Sequence, residues 1–185
     1  MRRIVFSIGG SWLLFHAGCA LAYPGGAPIC HADDIVGSPM GNPIPMGYAL
    51  LASPGGYTPG QPVSISIVHA DPGMRVRGML LYVEDPDALD GDMRPIKRGN
   101  FVAPYPVGIK AVFNGYPGCD FAGQTPVLTH DSGSEKSLPL SLDWSSPVID
   151  VGALRIRAIA LLTFSTYQLL ELELPLDPMF NDSFE

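Results

Sequence analysis

The chain has 185 residues, 21 glycines, 19 prolines and a formal net charge of −7. Its length fits one domain with a substantial core. The glycine and proline content is typical of short strands joined by tight turns rather than of a helical protein. The acidic balance argues against duplex nucleic acid and anionic membrane surfaces as partners, since both are bound mainly through clustered lysine and arginine.

The first 22 residues have the features of a cleavable export signal. A basic start at Met1-Arg2-Arg3 is followed by an apolar run over residues 4–15, and Ala20-Leu21-Ala22 matches a small-x-small cleavage site. The run is too short to span a bilayer. We therefore predict cleavage after Ala22 and a secreted product. Two alternatives stay open: a buried N-terminal helix, and lipid attachment at Cys19 as in bacterial lipoproteins.

Cleavage would leave one domain and a short tail. Nine basic residues would then face eighteen acidic ones, a net charge of −9. We assign residues 23–175 to the domain, beginning with an extended, proline-rich leader over residues 23–47, and residues 176–185 to an acidic tail. Asn181 in the tail begins a glycosylation sequon, usable in a eukaryotic source.

Short strands, several of them with apolar and polar residues in alternation, follow the leader. They are predicted at residues 62–68, 76–83, 99–102, 110–113, 138–144, 154–164 and 167–172. Residues 84–98 are polar and charged, and we predict a long exposed loop there. No capped amphipathic helix of useful length is evident. Seven to nine short antiparallel strands with turns between them predict an all-β, two-sheet sandwich.

Two cysteines, Cys30 and Cys119, remain after cleavage. In an exported domain they most simply form one disulfide, which would tie the leader to the body of the domain. Two free buried thiols are the alternative. Neither cysteine has the sequence neighbourhood of an activated nucleophile.

An ordered set of short segments runs through the mature chain. It begins with Gly26-Ala27-Pro28 before Cys30. It continues with Tyr57-Thr58-Pro59-Gly60, Arg77–Asp85, Arg98–Phe101, Thr129-His130-Asp131, Lys136 and Trp144-Ser145-Ser146-Pro147. In its order and spacing this set, which spans nearly the whole mature chain, resembles the reeler domain family. A histidine that the family carries shortly after its first cysteine has no counterpart here, and Met79 replaces a usual phenylalanine.

The resemblance implies an immunoglobulin-like β-sandwich, a Cys30–Cys119 bridge and no catalytic activity. Domains of this family occur in matrix, adhesion and innate-defence proteins, and some larger relatives add electron-transfer domains. We expect no cofactor. We also expect no transmembrane segment, because the most apolar later stretch, residues 153–164, is too short and contains Arg155 and Arg157. The oligomeric state is left open.

Three histidines lie beside acidic residues: His31 near Asp33 and Asp34, His69 near Asp71, and His130 next to Asp131. Such groups can ligate metals, but in acidic loops they more often cap turns, so we predict no metal site. We expect His130 to hold a turn by hydrogen bonds. Trp144, on an alternating strand, is expected in the core.

Exposed loop aromatics and one basic cluster are the ligand-binding candidates. The aromatics are Tyr105, Phe113 and Tyr116, and the cluster is Arg94, Lys97 and Arg98. The cluster suits an anionic glycan, although such a cluster is more often part of a solvated loop.

The leading hypothesis is a secreted, non-enzymatic recognition module that binds a glycan or protein at the cell surface, in matrix or in innate defence. One alternative is a structural role in which a sheet edge assembles with another copy or an extracellular complex. A second alternative is a metal- or haem-linked redox accessory, suggested by the larger relatives.

Overall fold

A computed structural model of the chain describes residues 25–112, 119 and 124–177. These residues form a short 3₁₀ turn, η1 (Ala32–Ile35), and twelve strands. The strands are β1 (Tyr48–Ser53), β2 (Pro62–His69), β3 (Arg75–Val76), β4 (Gly78–Leu89), β5 (Pro95–Lys97), β6 (Asn100–Phe101), β7 (Ile109–Ala111), β8 (Val127–His130), β9 (Lys136–Ser137), β10 (Leu140–Ser145), β11 (Leu154–Thr163) and β12 (Thr166–Leu174). The all-β prediction is confirmed. No helix of the described part is long and apolar enough to cross a bilayer.

Two antiparallel sheets form a sandwich. The first has the order β1-β2-β10-β6, and the second has the order β12-β11-β4-β8-β7, with β5 paired to β4. Alternation in β2 and β10 places Val63, Ile65 and Leu142 in the core between the sheets. A small third sheet joins β3 to β9 at one end.

The outer faces of the two sheets differ. The first sheet presents small hydroxyl side chains to solvent, among them Ser66 and Ser141, whose Oγ atoms lie 2.8 Å apart. The second sheet is covered by residues 26–46, which we call the N-terminal strap. Leu80, Tyr82 and Ile159 of this sheet pack under the strap in a second apolar cluster.

β4 is buried on both faces over its first part, and it is longer than predicted because it continues into a hairpin with β5. The strand is buried without interruption from Gly78 to Asp85. Met79, Leu81 and Val83 face the sandwich core, while Leu80 and Tyr82 face the strap.

The exposed loop predicted over residues 84–98 is wrong. β4 runs to Leu89 and forms a hairpin with β5, and Glu84 and Asp85 are buried. Their charges are compensated by Arg155 and Arg98, at 2.7 and 2.8 Å. Arg155 lies far away in sequence, and Arg98 directly follows the returning strand β5.

Besides β5, the sequence analysis missed two further strands of the sandwich, β1 and β8. β1 is an outer strand of the first sheet, and the edge of β1 is met by the side chain of Gln168 on β12. The amide oxygen of Gln168 accepts hydrogen bonds from the backbone N–H groups of Met46 and Tyr48, and its nitrogen donates to the Tyr48 carbonyl. This one side chain therefore occupies the place of a neighbouring strand.

Candidate functional site

The strap is fastened to four strands in turn. The Ala27 N–H donates to Thr129 Oγ1 on β8 at 2.9 Å, and the Ala32 N–H donates to the Tyr82 hydroxyl on β4 at 2.9 Å. Asp33 pairs with Arg157 on β11. The hydroxyl of Tyr167 on β12 donates to the Gly41 carbonyl at 2.7 Å. The strap thus crosses the second sheet at a steep angle to its strands.

A disulfide between Cys30 and Cys119 anchors the strap. The two Cα atoms lie 5.7 Å apart across a sequence separation of 89 residues, and both residues are buried in the cluster under the strap. The predicted pairing is confirmed. The disulfide holds the strap against the second sheet, beside the apolar cluster that contains Leu80 and Tyr82.

Beside the disulfide the strap meets the β4–β5 hairpin at a histidine–lysine contact. The Lys97 Nζ lies 2.9 Å from Nε2 and 3.1 Å from Nδ1 of His31. It also lies 5.0 Å from the centre of the Tyr82 ring. Three elements that are distant in sequence therefore meet here, and we call His31, Lys97 and Tyr82 the strap site.

Burial changes the proton affinities of the strap site. The pKa of His31 falls from 6.5 to about 4, because the ring is desolvated and because Lys97 and Arg94 are close. Burial also lowers the pKa of Lys97 to about 8 and raises the pKa of the Tyr82 hydroxyl. At neutral pH the imidazole is therefore uncharged, and a ring nitrogen can accept a hydrogen bond from the lysine ammonium.

An ion-pair network surrounds the strap site on the same face. Glu84 accepts two hydrogen bonds from Arg155. Arg157 lies between Asp33, Glu84 and Glu171. The two arginines therefore compensate the buried charge of Glu84 and hold the more exposed carboxylates of Asp33 and Glu171 beside it.

The predicted basic cluster is not one patch, because its residues have separate partners. Arg94 pairs with Asp34 of the strap at 2.8 Å, Arg98 pairs with Asp85, and Lys97 belongs to the strap site. An anionic glycan would have to compete with these contacts. A ligand-binding role of the cluster stays a prediction.

Of the aromatic candidates, Tyr105 lies in the loop between β6 and β7, half-buried against the core, with its hydroxyl 3.3 Å from the Phe101 carbonyl. Phe113 and Tyr116 lie outside the described residues. Beside Tyr105 the loop exposes Val102 and Val107, the latter to 98%. The β6–β7 loop, residues 102–108, therefore carries apolar side chains on the surface.

His130 is not in the predicted turn, since it ends strand β8. Its Nδ1 accepts a hydrogen bond from the Met79 N–H at 3.1 Å, which ties β8 to β4. Trp144 is fully buried, donates from Nε1 to the Arg98 carbonyl and meets Tyr57 edge-on.

The remaining acid–histidine group also has local partners. His69 Nδ1 accepts from the Asp71 N–H, and Nε2 lies 2.9 Å from the Met46 carbonyl. Within residues 25–112, 119 and 124–177, no three histidine, cysteine or acidic side chains come together as a metal site would require.

Sequence reasoning singled out His31 and Lys97 separately but missed Tyr82 and the contact among the three. Tyr82 stands in the unbroken apolar run of β4. Such a run is typical of a strand buried on both faces, and this was the available signal that another segment covers it.

Comparison with known proteins supports the fold. No protein-family model matches the chain, and no curated protein matches it. Among solved structures, a human F-spondin reeler domain superposes with a TM-score of 0.56 at 14% identity, covering 74% of this chain and 93% of that one. The Reelin-N domain of F-spondin gives 0.54 at 13% identity, covering 74% and 90%. The predicted reeler-like fold is confirmed.

Proposed function

We propose that this chain, which has the fold of reeler domains, is an exported, non-enzymatic recognition module that binds a protein or glycan through the β6–β7 loop. The observation that carries the proposal is an ordered loop that exposes apolar side chains on a rigid scaffold. The wider setting in matrix, cell surface or defence follows from the resemblance to the family and is part of the proposal.

Export is supported by the disulfide and by the predicted signal over residues 1–22. Disulfides persist in oxidising compartments and are rare in the cytosol. The Cys30–Cys119 bridge lies in a buried cluster, which favours a structural bond over a transient one.

The β6–β7 loop is held firmly at both ends. The Val102 N–H donates to the Asp143 carbonyl and the Gly108 carbonyl accepts from the Asp131 N–H, each at 2.9 Å. Between these ends Tyr105 packs against the core. The exposed side chains of Val102 and Val107 are thus presented by a backbone that needs little further ordering. Preordered apolar groups lose less entropy on binding and are suited to the centre of an interface.

A non-enzymatic role is supported by the histidines. His69 and His130 are engaged by backbone groups, and the buried acids Glu84 and Asp85 are paired with Arg155 and Arg98.

Assembly through the sheet edges is the weaker candidate. Gln168 already pairs with the edge of β1. On β12, exposed Glu171 and Glu173 alternate along the outer strand of the second sheet. Charged residues on outer strands discourage pairing with other chains.

The test is a binding screen of the purified mature chain against glycans and extracellular proteins, followed by Val107→Asp. A charge at this position should weaken binding at least tenfold, which corresponds to about 1.4 kcal/mol. Val148→Asp is the matched control, because Val148 is 84% exposed. It follows the C-terminal end of β10, which lies away from the β6–β7 loop. Failure to bind any member of the panel, or equal losses in both variants, would refute the proposal.

A further inference from the structure

The β4–β5 hairpin projects from the second sheet. β11 pairs with β4 as far as Glu84, and among the described residues the rest of β4 pairs with β5 alone. Residues 85–97 therefore form a two-stranded projection. Its outer part is linked to the strap by the ion pair of Arg94 with Asp34, at 2.8 Å. We call residues 89–93 the hairpin tip.

The hairpin tip is ordered by its own hydrogen bonds. The Asp90 N–H donates to the Arg94 carbonyl at 2.8 Å, and the Met93 N–H donates to the Asp90 carbonyl at 3.0 Å. The Asp90 carboxylate accepts hydrogen bonds from the backbone N–H groups of Asp92 and Arg94, at 2.9 and 3.0 Å. The tip therefore has a fixed shape without any ligand.

Met93 has a backbone conformation that disfavours its side chain. Its φ is +60°, and it is the one residue other than glycine with a positive φ among those that the structure describes. In this left-handed region Cβ lies too close to the following carbonyl oxygen, so glycine or asparagine is the usual residue. The Met93 side chain is 74% exposed, so packing within the chain offsets little of this strain. Strain of this kind is concentrated at functional sites.

The surroundings of Met93 are apolar on one side and acidic on the other. Leu89, the last residue of β4, is 46% exposed. Three exposed carboxylates stand in or next to the tip, those of Asp87, Asp90 and Asp92. The neighbouring cation, Arg94, is already paired with the strap. The hairpin tip therefore presents two apolar side chains within a negatively charged surface.

We propose that the hairpin tip is a second recognition surface, at which Met93 and Leu89 contact aromatic side chains of a protein partner that carries lysine or arginine around them. Methionine adapts to irregular apolar surfaces, and its sulfur makes favourable contacts with aromatic rings. The carboxylates of the tip complement a basic rim, which speeds association and disfavours other partners. They also oppose docking on an anionic membrane surface.

This surface is separate from the β6–β7 loop. That loop ends at Gly108, whose carbonyl accepts from the Asp131 N–H. The preceding residue, His130, lies beside Gly78 at the first residue of β4. The hairpin tip follows the last residue of the same strand, so the two surfaces lie towards opposite ends of β4.

The experiment is a selection of disulfide-closed peptides, displayed on phage, against the mature chain. We expect the enriched peptides to carry an aromatic residue next to lysine or arginine. Their affinity, measured with synthetic peptides, should fall by about tenfold or more for Met93→Asn. Asparagine removes the apolar side chain but suits a positive φ, so the urea midpoint of this variant should equal or exceed that of the wild type.

Leu51→Asn is the matched control. Leu51 is 56% exposed on the outer face of the first sheet, and its replacement should leave peptide binding unchanged. Equal binding to the wild type and Met93→Asn, or equal losses in Met93→Asn and Leu51→Asn, would overturn the proposal. A midpoint of Met93→Asn below that of the wild type would overturn the strain argument on which it rests. Peptides that lose affinity for Val107→Asp but not for Met93→Asn would support the β6–β7 loop and overturn the hairpin tip, so the two proposals fail separately.

Discussion

Acid should destabilise the fold through one buried histidine. His31 is 8% exposed and faces Lys97 and Arg94, whose charges are only partly opposed by Asp34 and Asp90. Burial and these two cations lower its pKa from 6.5 to about 4. The folded chain therefore binds a proton at His31 more weakly than the unfolded chain does.

The sign and size of the effect follow from this difference. Above pH 6.5 the His31 ring is neutral in both the folded and the unfolded state, and it does not lower the free energy of unfolding. As the pH falls from 6.5 towards 4, the unfolded state gains the proton first and stability drops, with the full loss of about 3 kcal/mol reached below pH 4. By pH 5 the loss from His31 is about 2 kcal/mol.

Urea unfolding of the wild type and of His31→Gln at pH 7 and pH 5 measures this loss. Glutamine keeps a polar side chain at the position but does not titrate. Titration of the carboxylates affects both proteins and cancels in the comparison. We expect the wild type to lose about 2 kcal/mol more than the variant between the two pH values. Equal losses, or a histidine resonance from His31 titrating near pH 6.5, would refute the reasoning.

Three other changes test the fold. Replacing both Cys30 and Cys119 by serine should lower the free energy of unfolding by up to about 4–5 kcal/mol. An unchanged urea midpoint would show that the bridge does not constrain the unfolded chain. Lys136→Met leaves three backbone carbonyls without their donor, and a loss of about 2–3 kcal/mol in thermal unfolding is expected; a neutral result would contradict the hydrogen-bond assignment. Gln168→Leu should cost about 1–2 kcal/mol and speed hydrogen exchange at the Tyr48 amide, and unaltered exchange there would disprove the edge contact.

The sequence predicts the strands whose patterns are local. Val63, Ile65 and Ile67 alternate with serines, so β2 is evident from residues 62–68 alone. The β4–β5 hairpin is not evident, because Glu84 and Asp85 look like loop residues until Arg155 and Arg98 are placed beside them. Such compensation by distant cations leaves no local trace.

The strap site could be predicted only in part. The histidine and the lysine are visible in the sequence, but 66 residues separate them and only the path of the strap brings them together. The cysteine pair was the one indicator of that path. The β6–β7 loop was anticipated through Tyr105, while the exposure of Val107 depends on how the loop is folded back.

The contrast between the two outer faces affects how the molecule can be attached to a support. The hydroxyl-bearing face of the first sheet has Ser66 and Ser141 at its centre, and among the described residues the strap contacts given above lie away from it. A cysteine introduced at Ser66 would give a chemical handle that leaves the disulfide cluster covered. Chains immobilised through that handle would all lie with the same side towards the support, so that a binding assay reads one orientation rather than a mixture.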